Sequence, residues 1–246
     1  IRRLKAVIGA SMGGMQALQW AVSHSDRLRS VVAMTPMAKT SPWAVAINEA
    51  SRRALRADPV MLARDPTAAV PDITAVPRSP DHPDGWSAWV PLMQLISGRT
   101  PQQVDGAFDS ADAVIAWIRE RSDWWRAQRF AAVDWLYQSR AYDAHDVGTT
   151  PGFGGDTAKA LAGVGVPVLV LAPPVDLYNP PSAARDAAAR IPGARFAEIP
   201  SVWGHQSATA ADPDAAYWLN RTIASFLAGI WTGSRWREAS PSADAG

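Results

Sequence analysis

Residues 4–20 read Leu4-Lys5-Ala6-Val7-Ile8-Gly9-Ala10-Ser11-Met12-Gly13-Gly14-Met15-Gln16-Ala17-Leu18-Gln19-Trp20, and this stretch decides the fold. Leu4–Gly9 is a short apolar run closed by a glycine, the pattern of a buried strand. From Met15 onward apolar residues recur at spacings of three and four, which predicts a helix. Between the two, Ser11 is flanked by glycines at two residues on either side, so the chain must turn sharply there. Arg29-Ser30-Val31-Val32-Ala33-Met34 is a second apolar strand. Strand, helix and strand in such short succession predict a βαβ unit with parallel strands.

Outward from this unit the texture changes twice. From Thr40 to Pro151 strand patterns are absent, and helical stretches rich in Trp and Arg follow one another: Val45–Leu55, Trp89–Ile96, Pro101–Phe108, Ala111–Arg126 and Val133–Tyr142. A proline-rich loop, Pro66–Pro83, interrupts them. This segment, residues 40–151, reads as a helical lid inserted into a sheet domain. The chain carries 12 Trp, many of them here. Ordinary helix packing accounts for most of them, since aromatics dominate cores, and a lined binding cavity is the second reading. The cluster Gly152-Phe153-Gly154-Gly155-Asp156 lacks the Lys-Ser/Thr of a phosphate loop and marks the turn back to the core. Val166–Ala172 is then a continuous apolar strand of the kind covered on both faces. Pro181–Ile191 follows as a helix, Arg195–Ile199 as a strand and Asp214–Leu227 as a closing helix. The expected organisation is a core of residues 1–39 and 152–231, the lid, and a polar disordered tail at 232–246.

Composition removes several classes of function. Hydrophobic residues make up 48% of the 246, charged residues 19%, and the net charge is +1. A folded core is therefore expected, and no basic stripe interleaved with aromatics marks a nucleic-acid partner. No apolar run approaches the ~18–20 residues of a membrane span. There are no cysteines, so disulfides and thiolate metal sites are ruled out, and a reducing cytoplasm suits the chain. No metal or cofactor is expected. Asp143-Ala144-His145-Asp146 holds two carboxylates and one His, but such a loop is more often a capped turn. His24 falls on a surface turn and His82 in the proline-rich loop.

Three residues carry chemistry. Gly9-Ala10-Ser11-Met12-Gly13 fits G-x-S-x-G between a strand and a helix, the nucleophile elbow of α/β-hydrolases. The turn sets Ser11 at the positive end of the helix dipole, and the Met12 backbone N–H is a candidate oxyanion donor. Asp176 follows the Val166–Ala172 strand, and His205 lies beyond the last strand. The chain order Ser, Asp, His is the one this fold uses, and each residue sits past the carboxyl end of a strand, where open α/β sheets gather functional groups. Ser11 is thus the expected nucleophile, His205 the general base and Asp176 the acid that fixes the imidazole.

The segment Gly9–Trp20 resembles the elbow of the homoserine O-acetyltransferase family of the α/β-hydrolase superfamily. The resemblance continues through Ala46-Ile47-Asn48-Glu49-Ala50, Tyr137–Gly148, Asp176-Leu177-Tyr178-Asn179-Pro180-Pro181 and Gly204-His205. It implies a mostly parallel sheet with helices on both faces and a helical lid. It also implies acyl transfer from acyl-CoA to a hydroxyl through an acyl-serine, with the triad on Ser11, Asp176 and His205. Acyl-CoA is then a cosubstrate, and pairing of two copies through the lid is expected. The fold implies strands, and a second oxyanion donor, before the elbow. Residues 1–246 alone are accordingly expected to be inactive or poorly folded.

The residues that hold homoserine in that family differ here. An Asp that meets the substrate amine follows the catalytic His, whereas this chain has Gln206. A lid Arg and a Tyr seven residues on meet the carboxylate, and Trp89 and Ile96 occupy those places. Losing such charge-assisted hydrogen bonds costs about 1.5–3 kcal/mol each. The pocket of Trp89, Ile96 and Gln206 suits an apolar acyl or alcohol group. The expected activity is hydrolysis of an ester or thioester, or acyl transfer to an alcohol other than homoserine. Alternatives are a genuine homoserine O-acetyltransferase and a non-catalytic hydrolase-fold receptor for a small ligand.

Overall fold

The computed structural model describes residues 2–62, 84–128 and 131–232. The proline-rich loop Pro66–Pro83 with His82, and the tail beyond Thr232, lie outside the described residues. Four parallel strands form one sheet in sequence order: β1 (Val7–Ala10), β2 (Val31–Met34), β3 (Val168–Ala172) and β4 (Arg195–Glu198). The register runs Ala10 beside Met34 and Met34 beside Leu171, so the carboxyl ends of β1, β2 and β3 are level. That alignment brings the loops after these strands to one edge.

The period-2 geometry of a strand divides the apolar side chains between two faces. Val31, Ala33, Val168, Val170 and Ala172 point to one face, where they pack with helices α1 (Met12–Ser23), α8 (Thr157–Ala162) and α9 (Pro181–Arg190). Val32, Leu169 and Leu171 point to the other, against Ala215, Leu219 and Phe226 of α10 (Pro213–Thr232). Every residue of β3 is buried, the outcome expected of a continuous apolar run in a doubly covered sheet. β1 is less enclosed, with Ile8 43% exposed.

Between β2 and α8 the described residues form six α-helices: α2 (Pro42–Arg56), α3 (Pro59–Leu62), α4 (Gly85–Met93), α5 (Pro101–Ala107), α6 (Ala111–Ala127) and α7 (Ala132–Asp143). Polar caps start them. Ser41, Asp84, Thr100 and Ser110 each accept a backbone N–H three residues on, and Pro42 and Pro101 occupy the first helical positions. These helices share their own core, with Trp86 fully buried and Trp89 stacked on it at 4.9 Å between centroids. Trp125 and Trp135 meet Trp89 edge-on. Packing therefore consumes these four indoles, in line with the first reading of the tryptophans.

Several boundaries differ from the sequence-based expectation. The helix expected over Trp89–Ile96 begins at Gly85, where Asp84 caps it, and gives way to a wider π-type turn over Gln94–Gly98. The closing helix runs on to Thr232, past Leu227. Helix α8, six residues long, was too short to register as a periodic pattern. The glycine cluster is a turn as expected, with Gly152, Gly154 and Gly155 all at positive φ.

Candidate active site

The turn from β1 into α1 builds the centre of the site. Ser11 adopts φ 56° and ψ −123°, a conformation that L-residues rarely take. Two contacts hold it there: its backbone N–H donates to Met34 O at 2.9 Å and to Thr35 Oγ1 at 3.2 Å. The glycines divide the labour differently from what the motif suggests. A Cβ on Gly9 would lie 2.1 Å from Gly13 O, and one on Gly14 would lie 2.5 Å from Met34 O. Gly13 itself faces open space. The close approaches that demand glycine are thus at positions 9 and 14. Met12 opens α1, and N–H groups in a first helical turn have no acceptor within the helix.

His205 and Asp176 converge on this serine. His205 Nε2 lies 2.6 Å from Ser11 Oγ, and His205 Nδ1 lies 2.7 Å from Asp176 Oδ2. Asp176 is 4% exposed and His205 8%. The second carboxylate oxygen, Oδ1, accepts the backbone N–H groups of Tyr178 at 2.8 Å and Asn179 at 2.9 Å. Those bonds fix the plane of the carboxylate. Asp176 Oδ2 accepts the hydrogen bond of His205 Nδ1–H, which leaves Nε2 as an acceptor facing the serine hydroxyl. Tyr178 closes the site beside the imidazole, its ring edge-on at 5.2 Å.

Sequence reasoning missed a polar set behind these three. Asn179 Nδ2 donates to Thr35 O at 2.6 Å, while its Oδ1 accepts the Tyr142 hydroxyl. Tyr178 donates to Asn48 Oδ1 at 2.6 Å, Asn48 Nδ2 to Asp143 Oδ1 at 2.7 Å, and Arg52 pairs with Asp143 at 2.7 Å. Burial pushes both phenols well above the ordinary tyrosine value, so both keep their protons. Thr35 is itself at φ 45°. All but Thr35 and Arg52 lie inside the stretches of family resemblance, which was the only signal available for them.

The expected pocket residues take three different environments. Trp89 is buried in the helical core, and Ile96 packs half-buried against that same cluster, which also takes in Met12, Met15, Tyr142 and Tyr178. Gln206, next to the catalytic-type histidine, donates from Nε2 to Ser97 O at 2.9 Å, across to the π-type turn. The remaining histidines stay apart from Ser11. His24 caps the end of α1 on the surface, and its Nδ1 meets Ser23 Oγ at 2.6 Å. His145 is enclosed, and its two flanking carboxylates turn elsewhere, Asp143 to Arg52 and Asp146 to Lys39. Among the described residues no three metal-ligating side chains converge. Nor is any helix long and apolar enough to cross a membrane.

The profile of the alpha/beta hydrolase fold matches residues 2–206, most of the chain. The chain belongs to the α/β-hydrolase fold family. Within it, this hydrolase-fold chain is similar to a homoserine O-acetyltransferase of Zymomonas mobilis, at 30% identity over 239 residues. That match covers 93% of this chain and 62% of the relative. The homoserine O-acetyltransferase of Trichormus variabilis is 29% identical over 209 residues, with 84% and 55% covered. The chain thus spans little more than half the length of these curated relatives. In structure it resembles an acetylester hydrolase of Corynebacterium glutamicum, with TM-score 0.76 at 19% identity, covering 93% of this chain and 62% of that one.

Proposed function

We propose that this chain carries out serine-based acyl transfer on an ester or thioester, releasing the acyl group to water or to an alcohol other than homoserine. The observation that carries this reading is the continuous hydrogen-bonded line Asp176–His205–Ser11, at 2.7 and 2.6 Å. In the first half-reaction His205 Nε2 takes the Ser11 proton as Oγ attacks the acyl carbon. The Met12 N–H donates to the developing oxyanion. The imidazolium then protonates the leaving alcohol or thiol, and an acyl-serine remains. In the second half-reaction the same nitrogen takes a proton from water or the acceptor and returns it to Ser11 Oγ as the ester breaks. Asp176 stays ionised and stabilises the imidazolium.

The surroundings favour an apolar acyl or alcohol group. Met12, Met15, Ile96, Tyr142 and Tyr178 belong to one apolar cluster beside Ser11. Gln206 supplies a neutral amide already engaged by Ser97. Helices α4 to α7 act in this reading as a lid over the serine, acyl-CoA is a candidate cosubstrate, and two copies pair through the lid. A second reading, a genuine homoserine O-acetyltransferase, is favoured by the curated relatives' names. Product analysis distinguishes them. The chain, joined to an N-terminal part that supplies the strands and second oxyanion donor expected before the elbow, is incubated with acetyl-CoA or p-nitrophenyl acetate, with homoserine, simple alcohols or water alone as acceptor. Free acetate or an acetylated simple alcohol is expected; O-acetylhomoserine as the main product overturns the first reading in favour of the second.

A further inference from the structure

Among the described residues, two arginines beside the catalytic loop have no carboxylate partner. Arg126, Arg52, Arg185 and Arg190 each pair with an Asp or Glu. Arg99 and Arg121 do not. The Arg99 guanidinium lies 4.7 Å from the Trp203 ring centre and 5.9 Å from that of Trp117. Trp117 and Arg121 are one turn apart on α6, which brings both arginines to one corner, and burial, with the nearby Arg121 charge adding to it, holds half-buried Arg99 below the ordinary guanidinium value. Arg121 stacks over Trp124 at 4.3 Å, and its Nε is buried without an acceptor. Among the described residues, the Arg99 side chain donates only to its neighbour Gly98 O, at 2.8 Å. Two cations at one corner, with open donors and no paired carboxylate among the described residues, match an anion with several oxygens.

This corner is joined to the catalytic histidine. Trp203 is two residues from His205, and a Cβ on the intervening Gly204 would lie 2.8 Å from Thr100 Cγ2. Thr100 Oγ1 donates to Val202 O at 2.6 Å. The segment Arg99–Thr100 therefore clamps the loop that carries His205. Indole faces beside the guanidiniums add a stacking surface for a flat ring.

We propose that Arg99 and Arg121 form a phosphate-binding site at the rim of the active site, for the phosphorylated, nucleotide-like end of the substrate. That the phosphate belongs to the acyl donor rests on the acyl-transfer reading; the anion site itself does not. Guanidinium forks bind a phosphate bidentately, and a phosphate between them removes their mutual repulsion.

Titration calorimetry, with tryptophan fluorescence in parallel, tests this on the full chain with ADP, inorganic phosphate, adenosine and acetate. ADP is expected to bind at least tenfold tighter than adenosine or acetate, and tighter than inorganic phosphate. The Arg99→Gln/Arg121→Gln double variant is expected to lose at least tenfold in ADP affinity, and Arg121→Gln alone most of that. Thermal melting checks that both variants fold, and Arg119→Gln on the exposed side of α6 serves as the control with unchanged binding. No saturable ADP binding, equal binding by the folded Arg121→Gln variant, or acetate binding as tightly as phosphate overturns the site. Inorganic phosphate binding as tightly as ADP overturns the substrate assignment and leaves free phosphate as the ligand. Labelling of Ser11 by a fluorophosphonate on the same samples separates the two claims: ADP binding without labelling strikes acyl transfer alone, and labelling without ADP binding strikes this site alone.

Discussion

His205 Nε2 lies 2.6 Å from the hydroxyl of Ser11, although 194 positions separate the two residues in the chain. The sheet makes the meeting: Ser11 ends β1 and the His205 loop follows β4, at the same edge of four parallel strands. Asp176, after β3, completes the line from between them.

Asp176→Asn tests the orientation of the imidazole. The amide oxygen can still accept the N–H groups of Tyr178 and Asn179, so the fold is retained. Its NH₂ then faces His205 Nδ1 and forces the proton onto Nε2, where it blocks acceptance from Ser11. Turnover of p-nitrophenyl acetate is expected to fall by about 10⁴-fold, as in other triads, with little change in melting temperature. A fall in activity that merely tracks a fall in stability contradicts this role.

Asn179→Ala tests the polar set behind the serine. It strips a donor from Thr35 O and an acceptor from the Tyr142 hydroxyl, both buried. Unsatisfied buried groups cost about 1–3 kcal/mol each, so for the two together urea denaturation is expected to show a loss of about 2–6 kcal/mol. Unchanged stability shows that water replaces both bonds.

His145 gives the acid side of the stability profile. Burial holds its pKa below the ordinary 6.5, against the opposing pull of the Met37 backbone and Asp146. The unfolded chain therefore binds the proton first as pH falls. The contribution of His145 is complete above about pH 6.5 and is lost as pH drops from there to the folded value. Denaturation midpoints measured between pH 8 and pH 5 are expected to decline less in His145→Gln than in the parent chain. An identical decline contradicts the assignment.

Acceptor choice is tested by homoserine itself. Gln206 offers the substrate amine no negative charge, and its amide is held by Ser97 O. Steady-state assays with acetyl-CoA are expected to show no rate increase on adding homoserine. Saturable acceleration by homoserine contradicts this.

The elbow and the triad were legible in the sequence because their signals are local. Gly9-Ala10-Ser11-Met12-Gly13 sits between a strand and a helix, and Asp176 and His205 each follow a strand run. The structure brings those three side chains together. Thr35, Asn179 and Tyr142 were not legible as site residues, because their roles arise from contacts between loops distant in the chain. Asn179 meets Thr35 across 144 positions and Tyr142 across 37. Gly14 was likewise opaque, since only the approach of Met34 O makes it necessary. Among the tryptophans, periodicity could place Trp89 on a helix but could not stack it on Trp86. Arg99 and Arg121 belong to no motif, and only the fold sets Arg99 against Trp203 and Trp117, one turn from Arg121.

The central claim is that His205 activates Ser11 as a nucleophile. A fluorophosphonate adduct, located by peptide mass spectrometry, measures it most directly. The adduct is expected on Ser11, formed at least a hundredfold more slowly in His205→Ala, on the order of a general base's contribution. An adduct on another residue, or equal labelling rates in the two proteins, contradicts it.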